Sequence, residues 1–232
     1  LPKDKQIISG RSFCPGCKKK INWYDNLPLI SYILLNAKCR NCDKYISARY
    51  LIVELITAIS FLFIFLCFKN LYTIIFLSIL ILILIMIFFI DLENFIIPDS
   101  LNFSIMGLAF IKNFLPSFNT SLVHDINQSL IGGIIGYFSI WLIIFLYKTL
   151  KKIDGMGLGD AKLMAGIGLL FGWQSIPLVL FLSSILGLFF VIPSLLKKQK
   201  TMKSEIPFGP FIIIAMLIYF VFGDFFYGLI LV

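Results

Sequence analysis

The chain has 232 residues, of which 59% are hydrophobic and 14% charged, and its mean hydropathy is +0.97. A soluble domain carries about a quarter charged residues, so this composition indicates a polytopic membrane protein. The formal net charge of +8 could suggest nucleic-acid binding. The basic residues lie between apolar stretches, however, where membrane topology explains them, and we expect no nucleic-acid partner.

The chain divides into a polar region rich in Cys and Lys, residues 1–50, and an apolar part, residues 51–232. The apolar part contains seven apolar stretches, at about 51–68, 72–90, 101–115, 128–147, 160–172, 175–196 and 208–231. Most are long enough to cross about 30 Å of hydrocarbon as a helix. The third and fifth stretches are short and polar or Gly-rich, so we expect them to pack on protein or line a wet cavity. The predicted fold is all-α and polytopic.

The distribution of positive charge orients these stretches. With the Cys-rich region in the cytosol, the other inside loops are 91–100, 148–159 and 197–207. Of the 20 Lys and Arg residues, 18 then lie in inside segments or at the inner end of the fifth stretch. This orientation predicts that Asp91 and Asp160 both lie at the cytosolic face of the membrane.

Four cysteines in the polar region form two C-x2-C pairs, Cys14 with Cys17 and Cys39 with Cys42, separated by 21 residues. Two such pairs can supply four thiolates to a tetrahedral zinc ion, although this separation is slightly longer than is usual in zinc ribbons. A cytosolic location favours a metal over disulfides. Two redox dithiols or unliganded cysteines are the alternatives. We expect a structural zinc site, because four protein ligands leave no open position for catalysis.

Two aspartates lie where an apolar stretch meets a polar one. Asp91 follows the run 74–90, and Asp160 closes the sequence Gly157-Leu-Gly-Asp160. A charged carboxylate at the bilayer edge is costly and needs a reason, although each aspartate could also be an ordinary polar residue at a helix end. The two glycines permit backbone conformations that other residues resist. Asp99, which follows a proline, is well placed to cap the next helix.

Two carboxylates at one membrane face are what an aspartic protease needs. One ionised Asp takes a proton from water as it attacks the scissile carbonyl, while a protonated partner donates to the carbonyl oxygen. Two like charges so close cannot both ionise easily, so the pair titrates together. The sole histidine, His124, falls in a predicted outer loop. This argues against zinc proteases of the H-E-x-x-H type and against Ser-His catalysis.

These residues carry a resemblance that covers nearly the whole chain. The chain resembles the bacterial type IV prepilin peptidases, membrane enzymes of the G-x-G-D aspartic protease group. The matching segments are Arg11-Ser-Phe-Cys-Pro-Gly-Cys17, Ile21-Asn-Trp-Tyr-Asp-Asn-Leu-Pro28, Cys39-Arg-Asn-Cys42, Ile46-Ser-Ala-Arg-Tyr50, Glu54-Leu-Ile-Thr57, Asp91 through Pro98-Asp99, Gly155-Met-Gly-Leu-Gly-Asp-Ala-Lys162 and Ile206-Pro-Phe-Gly-Pro210.

The resemblance implies that Asp91 and Asp160 are the catalytic pair. It implies cleavage of a basic leader from prepilins or pseudopilins, in pilus biogenesis or protein secretion, at the cytosolic side of the bacterial inner membrane. Many members also methylate the new amino terminus with S-adenosylmethionine. The family has one more helix before the cysteine region. Because the chain begins with Leu rather than Met, we expect an eighth, N-terminal helix to precede it.

Other functions remain possible from the residues alone. A proton-coupled transporter could use Asp91 and Asp160 as a proton relay, but we would expect its acids near the bilayer midplane, on opposite sides of a barrier. A zinc-bearing assembly factor would leave the paired aspartates unexplained. Glu54 and Glu205 are interpreted as interfacial ion-pair partners. The basic loops are expected to attract anionic membrane lipids.

Overall fold

The computed structural model describes residues 13–14, 16–27, 29–115, 122, 125–152, 157–196 and 206–230. Within these ranges the regular structure is helical, which confirms the predicted all-α class. A 3-10 turn, Trp23–Asn26, precedes eight α-helices: α1 Ile30–Leu34, α2 Ala48–Cys67, α3 Leu71–Asn94, α4 Asp99–Ile111, α5 Ile126–Lys151, α6 Leu158–Phe171, α7 Ser175–Leu196 and α8 Gly209–Ile230. A second 3-10 turn, Lys112–Phe114, extends α4.

The seven predicted apolar stretches correspond to α2 through α8. Four helices are long and apolar enough to cross a membrane, namely α2, α3, α5 and the Ser175–Ile192 part of α7. Helix α8 contains a shorter apolar section, Gly209–Gly223. Helices α4 and α6 have 13 and 14 residues, so each is only about 20 Å long. These two match the stretches that were expected to need protein neighbours.

The chain forms two compact units, Leu1–Phe63 and Ile64–Val232. The first contains the four clustered cysteines and α1, and the second contains α3 to α8. The division falls inside α2, so this helix contributes to both units. The boundary at residue 50 that the sequence suggests stays a prediction.

Helix α6 is the most enclosed element of the second unit. Ten of its 14 residues are buried, which explains how a short, Gly-rich segment is stable among apolar helices. Gly168 on α6 packs against the backbone of Gly132 on α5, and a Cβ at Gly136 would lie 2.5 Å from the Met164 carbonyl oxygen. Small residues allow such close helix contact. Helix α4 packs beside α6, where Gly166 faces Ile105.

Lys112 lies at the C-terminal end of α4, and Asp99 lies at the N-terminal end. Its side chain is fully buried, and its ammonium donates to Asn113 Oδ1 and Ser129 Oγ, each at 3.1 Å. These bonds satisfy a charged group that burial would otherwise penalise. They also tie the 3-10 turn after α4 to the first turn of α5.

Candidate active site and metal centre

Asp91 lies in the last turn of α3, and its side chain is only 4% exposed. The helix ends at Asn94. The next residue, Phe95, has a left-handed backbone (φ 55°) and donates its N–H to the Asp91 carbonyl oxygen at 2.9 Å. A left-handed residue after the last turn is a common helix terminator. The termination places the Asp91 carboxylate at the start of the connection to α4.

The Asp91 carboxylate meets the first residue of α8. The Gly209 N–H donates to Asp91 Oδ2 at 3.0 Å in a buried environment. The N-terminus of a helix presents free N–H groups and favours negative charge, so this contact stabilises a carboxylate. Gly209 belongs to the Ile206–Pro210 segment that carries part of the family resemblance, but the sequence predicted no role for it. The glycine between two prolines before an apolar run was the available signal.

Asp160 is the third residue of α6 and is 8% exposed. Gly157 occupies the cap position with an extended backbone (φ −81°, ψ 149°), and the Asp160 N–H donates to the Gly157 carbonyl oxygen at 3.3 Å. Gly157, not Asp160, is therefore the N-cap of α6. Its carboxyl group is part of the first turn, buried at the positive end of the helix dipole.

Ile97 connects the surroundings of the two aspartates. A Cβ at Gly159 would lie 3.0 Å from Ile97 Cβ, and a Cβ at Gly209 would lie 3.0 Å from Ile97 Cδ1. The residue before Asp160 and the partner of Asp91 thus contact the same side chain. The structure therefore brings the two predicted site residues together from helices far apart in sequence.

Asp99 does not cap α4 with its side chain, because Pro98 occupies the cap position and Asp99 is the first helical residue. Its carboxylate instead accepts from Lys162 Nζ at 2.6 Å. One turn further on, Asn102 Nδ2 donates to the Gly159 carbonyl oxygen at 3.2 Å. Neither contact was predicted, because each joins residues about sixty positions apart.

The four cysteines of the first unit form a compact cluster. Their Sγ atoms all lie within 4.8 Å of one another, and Cys14 Sγ lies 3.7 Å from Cys42 Sγ. Tetrahedral zinc with bonds of about 2.3 Å requires sulfur atoms about 3.8 Å apart, so four thiolates in this arrangement could hold a metal ion. The predicted grouping of Cys14, Cys17, Cys39 and Cys42 is confirmed as a candidate metal centre.

Both C-x2-C pairs have the same backbone fold. Cys14 N–H donates to Lys19 O and accepts at its carbonyl from Lys18 N–H, at 3.0 and 2.8 Å. Cys39 repeats the two bonds with Lys44 and Asp43, at 2.9 and 3.0 Å. Lys18 and Asp43 both have left-handed backbones, with φ 57° and 52°. Each pair is therefore a tight turn that directs two sulfur atoms toward one point.

The backbone around Cys14 favours the thiolate form of its side chain. Hydrogen bonds from the backbone N–H groups of Cys17 and Gly16 lower the pKa of Cys14 to about 6, and the Gly16 N–H lies 3.3 Å from the sulfur. Thiolate, not thiol, is the metal-binding form. Cys14 thus offers a thiolate near neutral pH.

Two further contacts stabilise the first unit. Arg40, inside the second cysteine turn, pairs with Asp25 at 2.7 Å through two of its nitrogen atoms. Asp25 therefore anchors this turn to the 3-10 segment. Glu54 accepts from the Leu29 N–H at 2.7 Å, before α1. The expected ion pair of Glu54 is replaced by this backbone contact.

Cys67, the fifth cysteine of the chain, is exposed at the last residue of α2. Among the described residues, protein buries only 6% of the most apolar part of this helix. Other predicted features lie outside the described residues, so the structure gives no account of them. These are His124, Glu205, Arg11, Pro15, Pro28, Gly155, Met156 and the lysines of the 197–207 loop.

Comparison with known proteins finds one family model that matches the first part of the chain and another that matches the second part. Residues 1–68 match the model of the bacterial peptidase A24 N-terminal domain, and residues 78–192 match that of the type IV leader peptidase family. No solved structure matches the chain.

Several curated relatives carry the name prepilin leader peptidase/N-methyltransferase. The protein of Aeromonas hydrophila is 35% identical over 218 residues, which cover 94% of this chain and 73% of the relative. That of Vibrio cholerae serotype O1 is 39% identical over 215 residues, covering 92% and 82%. That of Pseudomonas aeruginosa is 33% identical over 227 residues, covering 96% and 77%.

The fold and the site together define a helical protein with several potential membrane spans, two buried aspartates and a separate four-cysteine centre. Relatives of this identity, matched over most of their length, establish the family. The chain belongs to the type IV leader peptidase family.

Proposed function

We propose that the protein is a membrane aspartic endopeptidase that cleaves the leader peptide of type IV prepilins or pseudopilins, with Asp91 and Asp160 as the catalytic pair. The observation that carries the proposal is the burial of these two carboxylates in surroundings that meet at Ile97. This side chain lies against Gly159, the neighbour of Asp160, and against Gly209, the partner of Asp91. Burial of two neighbouring acids has no structural benefit of its own. The relatives named prepilin leader peptidase/N-methyltransferase support the substrate class.

The proposed chemistry is hydrolysis of one peptide bond by an activated water. Asp91, whose charge the Gly209 N–H stabilises, takes a proton from the water as the water oxygen attacks the scissile carbonyl. Asp160 donates its proton to the carbonyl oxygen, which gives a tetrahedral diol. Asp91 then passes the proton it received to the departing amine as the C–N bond breaks, and Asp160 takes a proton back from one diol hydroxyl, which leaves the carboxylic acid product. The pair shares one proton throughout, as in other aspartic dyads.

The deciding experiment is cleavage of a model prepilin by the full chain in liposomes, compared with Asp91→Asn and Asp160→Asn. Each substitution keeps the side-chain shape and removes one carboxylate. We expect each variant to lose cleavage by several orders of magnitude while its thermal unfolding stays near that of the parent. Full cleavage by either variant would rule out the two-aspartate mechanism. Proton transport that depends on both residues, without cleavage, would favour the transporter alternative.

We further propose that α2 to α8 all span the bacterial inner membrane, with the cysteine region and the aspartates on the cytosolic side. The positive-inside distribution of Lys and Arg supports this orientation. Attachment of a membrane-impermeant maleimide to cysteines introduced in the 91–100 and 116–127 loops tests it. Labelling of the first loop only from the cytosolic side supports the orientation, and the reverse pattern contradicts it.

The four-cysteine centre is proposed to bind zinc in a structural role. Four sulfur donors on two tight turns suit this ion and leave no position for substrate. Zinc would fix the two turns to each other and so stabilise the small first unit, which has few buried apolar residues. The ion is not required for the peptidase chemistry proposed for the aspartates.

The relatives' name also supports a second reaction, methylation of the new amino terminus. The methyl donor would be S-adenosylmethionine, whose sulfonium methyl group is transferred to the free amine released by cleavage. Transfer of label from methyl-labelled S-adenosylmethionine to cleaved substrate tests this activity. Retention of methylation on a precleaved substrate by Asp160→Asn would show that the two reactions use different residues.

Membrane lipids are proposed as partners of the first unit. Its surface exposes large apolar side chains beside lysines, a combination that suits an anionic bilayer surface; the apolar residues include Trp23, Ile33, Leu34 and Tyr45. Trp23 emission, measured with Trp141 and Trp173 replaced by Phe, should be quenched by brominated lipid in anionic nanodiscs. Absence of quenching, or quenching unaffected by high salt, would contradict charge-assisted docking.

A further inference from the structure

The first turn of α4 contacts α6 on both sides of Asp160. Asn102 Nδ2 donates to the carbonyl oxygen of Gly159, the residue before Asp160, at 3.2 Å. Asp99 Oδ1 accepts from Lys162 Nζ, two residues after Asp160, at 2.6 Å. Residues three apart share a helix face, so Asp99 and Asn102 hold the segment 159–162 from one side.

Asn102 is an unusual residue for its position. It is fully buried in an apolar helix packing, and its Oδ1 has no hydrogen-bond partner among the described residues. Leucine has the same branched shape and would bury no polar atom, so burial alone does not favour asparagine here. The hydrogen bond from the Asn102 amide to the Gly159 carbonyl oxygen explains why a polar residue is buried here, because this bond fixes the Gly159 peptide.

Lys162 is held at two points. Besides its bond to Asp99, its ammonium lies 5.8 Å from the centre of the Phe103 ring, four residues along α4. Its side chain is 25% exposed and that of Asp99 59%, so neither charge is strongly desolvated. An ion pair this exposed adds little stability. Its effect is to fix the position of α6 relative to α4.

The same segment also reaches Asp91. Ile97, two residues before Asp99, contacts both Gly159 and Gly209, and Gly209 binds the Asp91 carboxylate. The start of α4 therefore connects the surroundings of both aspartates through a short, continuous set of contacts.

We propose that Asp99, Asn102 and Lys162 are positioning residues that keep Asp160 in register with Asp91. The inference rests on the proposed function, since it assigns these residues to the same pair. None of the three needs to touch the substrate. Dyad chemistry depends on both carboxyl groups reaching one water, and a displacement of about 1 Å can lower a rate about 100-fold.

A double-mutant cycle tests the charged pair. The full chain in liposomes is assayed on a model prepilin as wild type, Asp99→Asn, Lys162→Met and the double variant. We expect each single variant to lower kcat about 10- to 100-fold with little change in KM, and the double variant to be no slower than the slower single one. Lys162→Arg should restore much of the rate. Independent, multiplying losses, or a change confined to KM, would overturn the proposal.

The asparagine is tested with Asn102→Leu. Lys151→Met, at the exposed end of α5, is the control for loss of a lysine that has no hydrogen bond or ion pair with the described residues of α4 or α6. We expect Asn102→Leu to keep its thermal stability and lose kcat. Amide hydrogen exchange in the first turn of α6 should become faster in Asn102→Leu and Lys162→Met but not in Lys151→Met. This exchange readout is independent of catalysis.

Assays run in parallel distinguish failure of the proposed function from failure of the positioning roles. If wild type cleaves and Asp160→Asn does not, the proposed function stands, and wild-type kcat in Asn102→Leu and Lys162→Met then overturns the positioning roles alone. If wild type does not cleave the prepilin, the proposed function fails. Unchanged exchange in α6 would in that case also overturn the positioning roles, and faster exchange would support them.

Discussion

At the scale of single residues, Gly209 is the position where the addition of one methyl group should lower catalysis most. Its N–H donates to Asp91 Oδ2, and a Cβ at this position would lie 2.7 Å from the same oxygen and 3.0 Å from Ile97 Cδ1. Both atoms belong to packed, buried side chains. Glycine is required here by the close approach of backbone to carboxylate.

We therefore expect Gly209→Ala to lower kcat for prepilin cleavage at least about tenfold, because the methyl group displaces the Asp91 carboxylate from its hydrogen bond. The matched control is Gly107→Ala on α4, where a Cβ meets nothing within 4 Å. That variant should keep full activity and become more stable by up to about 1 kcal/mol. Equal activities for the two variants would contradict the assigned role of Gly209.

The aspartates were predictable because their signal is local, an acid next to an apolar run and a Gly-rich turn. The partners of these acids were not predictable in the same way. Gly209 follows Asp91 by 118 positions, and Asn102 precedes Gly159 by 57. A single sequence contains no periodicity that relates such distant residues, so only the packed helices reveal the contacts.

At the scale of elements, the α5–α6 contact determines where Asp160 lies. Gly132 and Gly136 on α5 face the backbone of α6 around Met164 and Gly168. The α6 stretch is short and Gly-rich for a membrane span, and this property correctly predicted a helix enclosed by protein. It could not indicate which helix encloses it, because the glycines on α5 have no partner that the sequence identifies.

Substitution Gly168→Ala should destabilise the protein by about 3 kcal/mol or more, because the added methyl group meets the Gly132 backbone, which cannot rotate away. Gly187→Ala on α7 is the matched control, since its Cβ would meet Phe211 at an ordinary 3.5 Å. Thermal unfolding in detergent should show a large fall in Tm for the first variant and a small change for the second. Similar Tm values would show that the α5–α6 interface can open without cost.

At the scale of the whole molecule, the cysteine centre and the aspartates belong to different compact units. The cysteine pairs were predicted completely, because two C-x2-C turns specify both the ligands and their local geometry. The repeated left-handed residues, Lys18 and Asp43, were not predicted. Aspartate adopts this conformation more readily than most residues, but lysine does not, and the tight turn overrides its local preference.

Metal content provides a test at this scale. We expect about one zinc per purified chain in wild type and in Cys67→Ser, because Cys67 lies outside the cluster. Cys42→Ser should lose most of the metal, since three thiolates bind zinc much more weakly than four. Elemental analysis of the purified protein measures both. Full zinc content in Cys42→Ser would exclude the four-sulfur site.

The bond between Gly209 and Asp91 has a consequence for biosynthesis. Asp91 and Asp160 leave the ribosome well before Gly209, so a nascent chain contains both acids while the N–H partner of Asp91 does not yet exist. Only insertion of α8 beside α3 supplies it. With Asp91 and Asp160 as the proposed catalytic pair, we expect the peptidase to become active only once α8 has packed beside α3, after residue 209 has been translated.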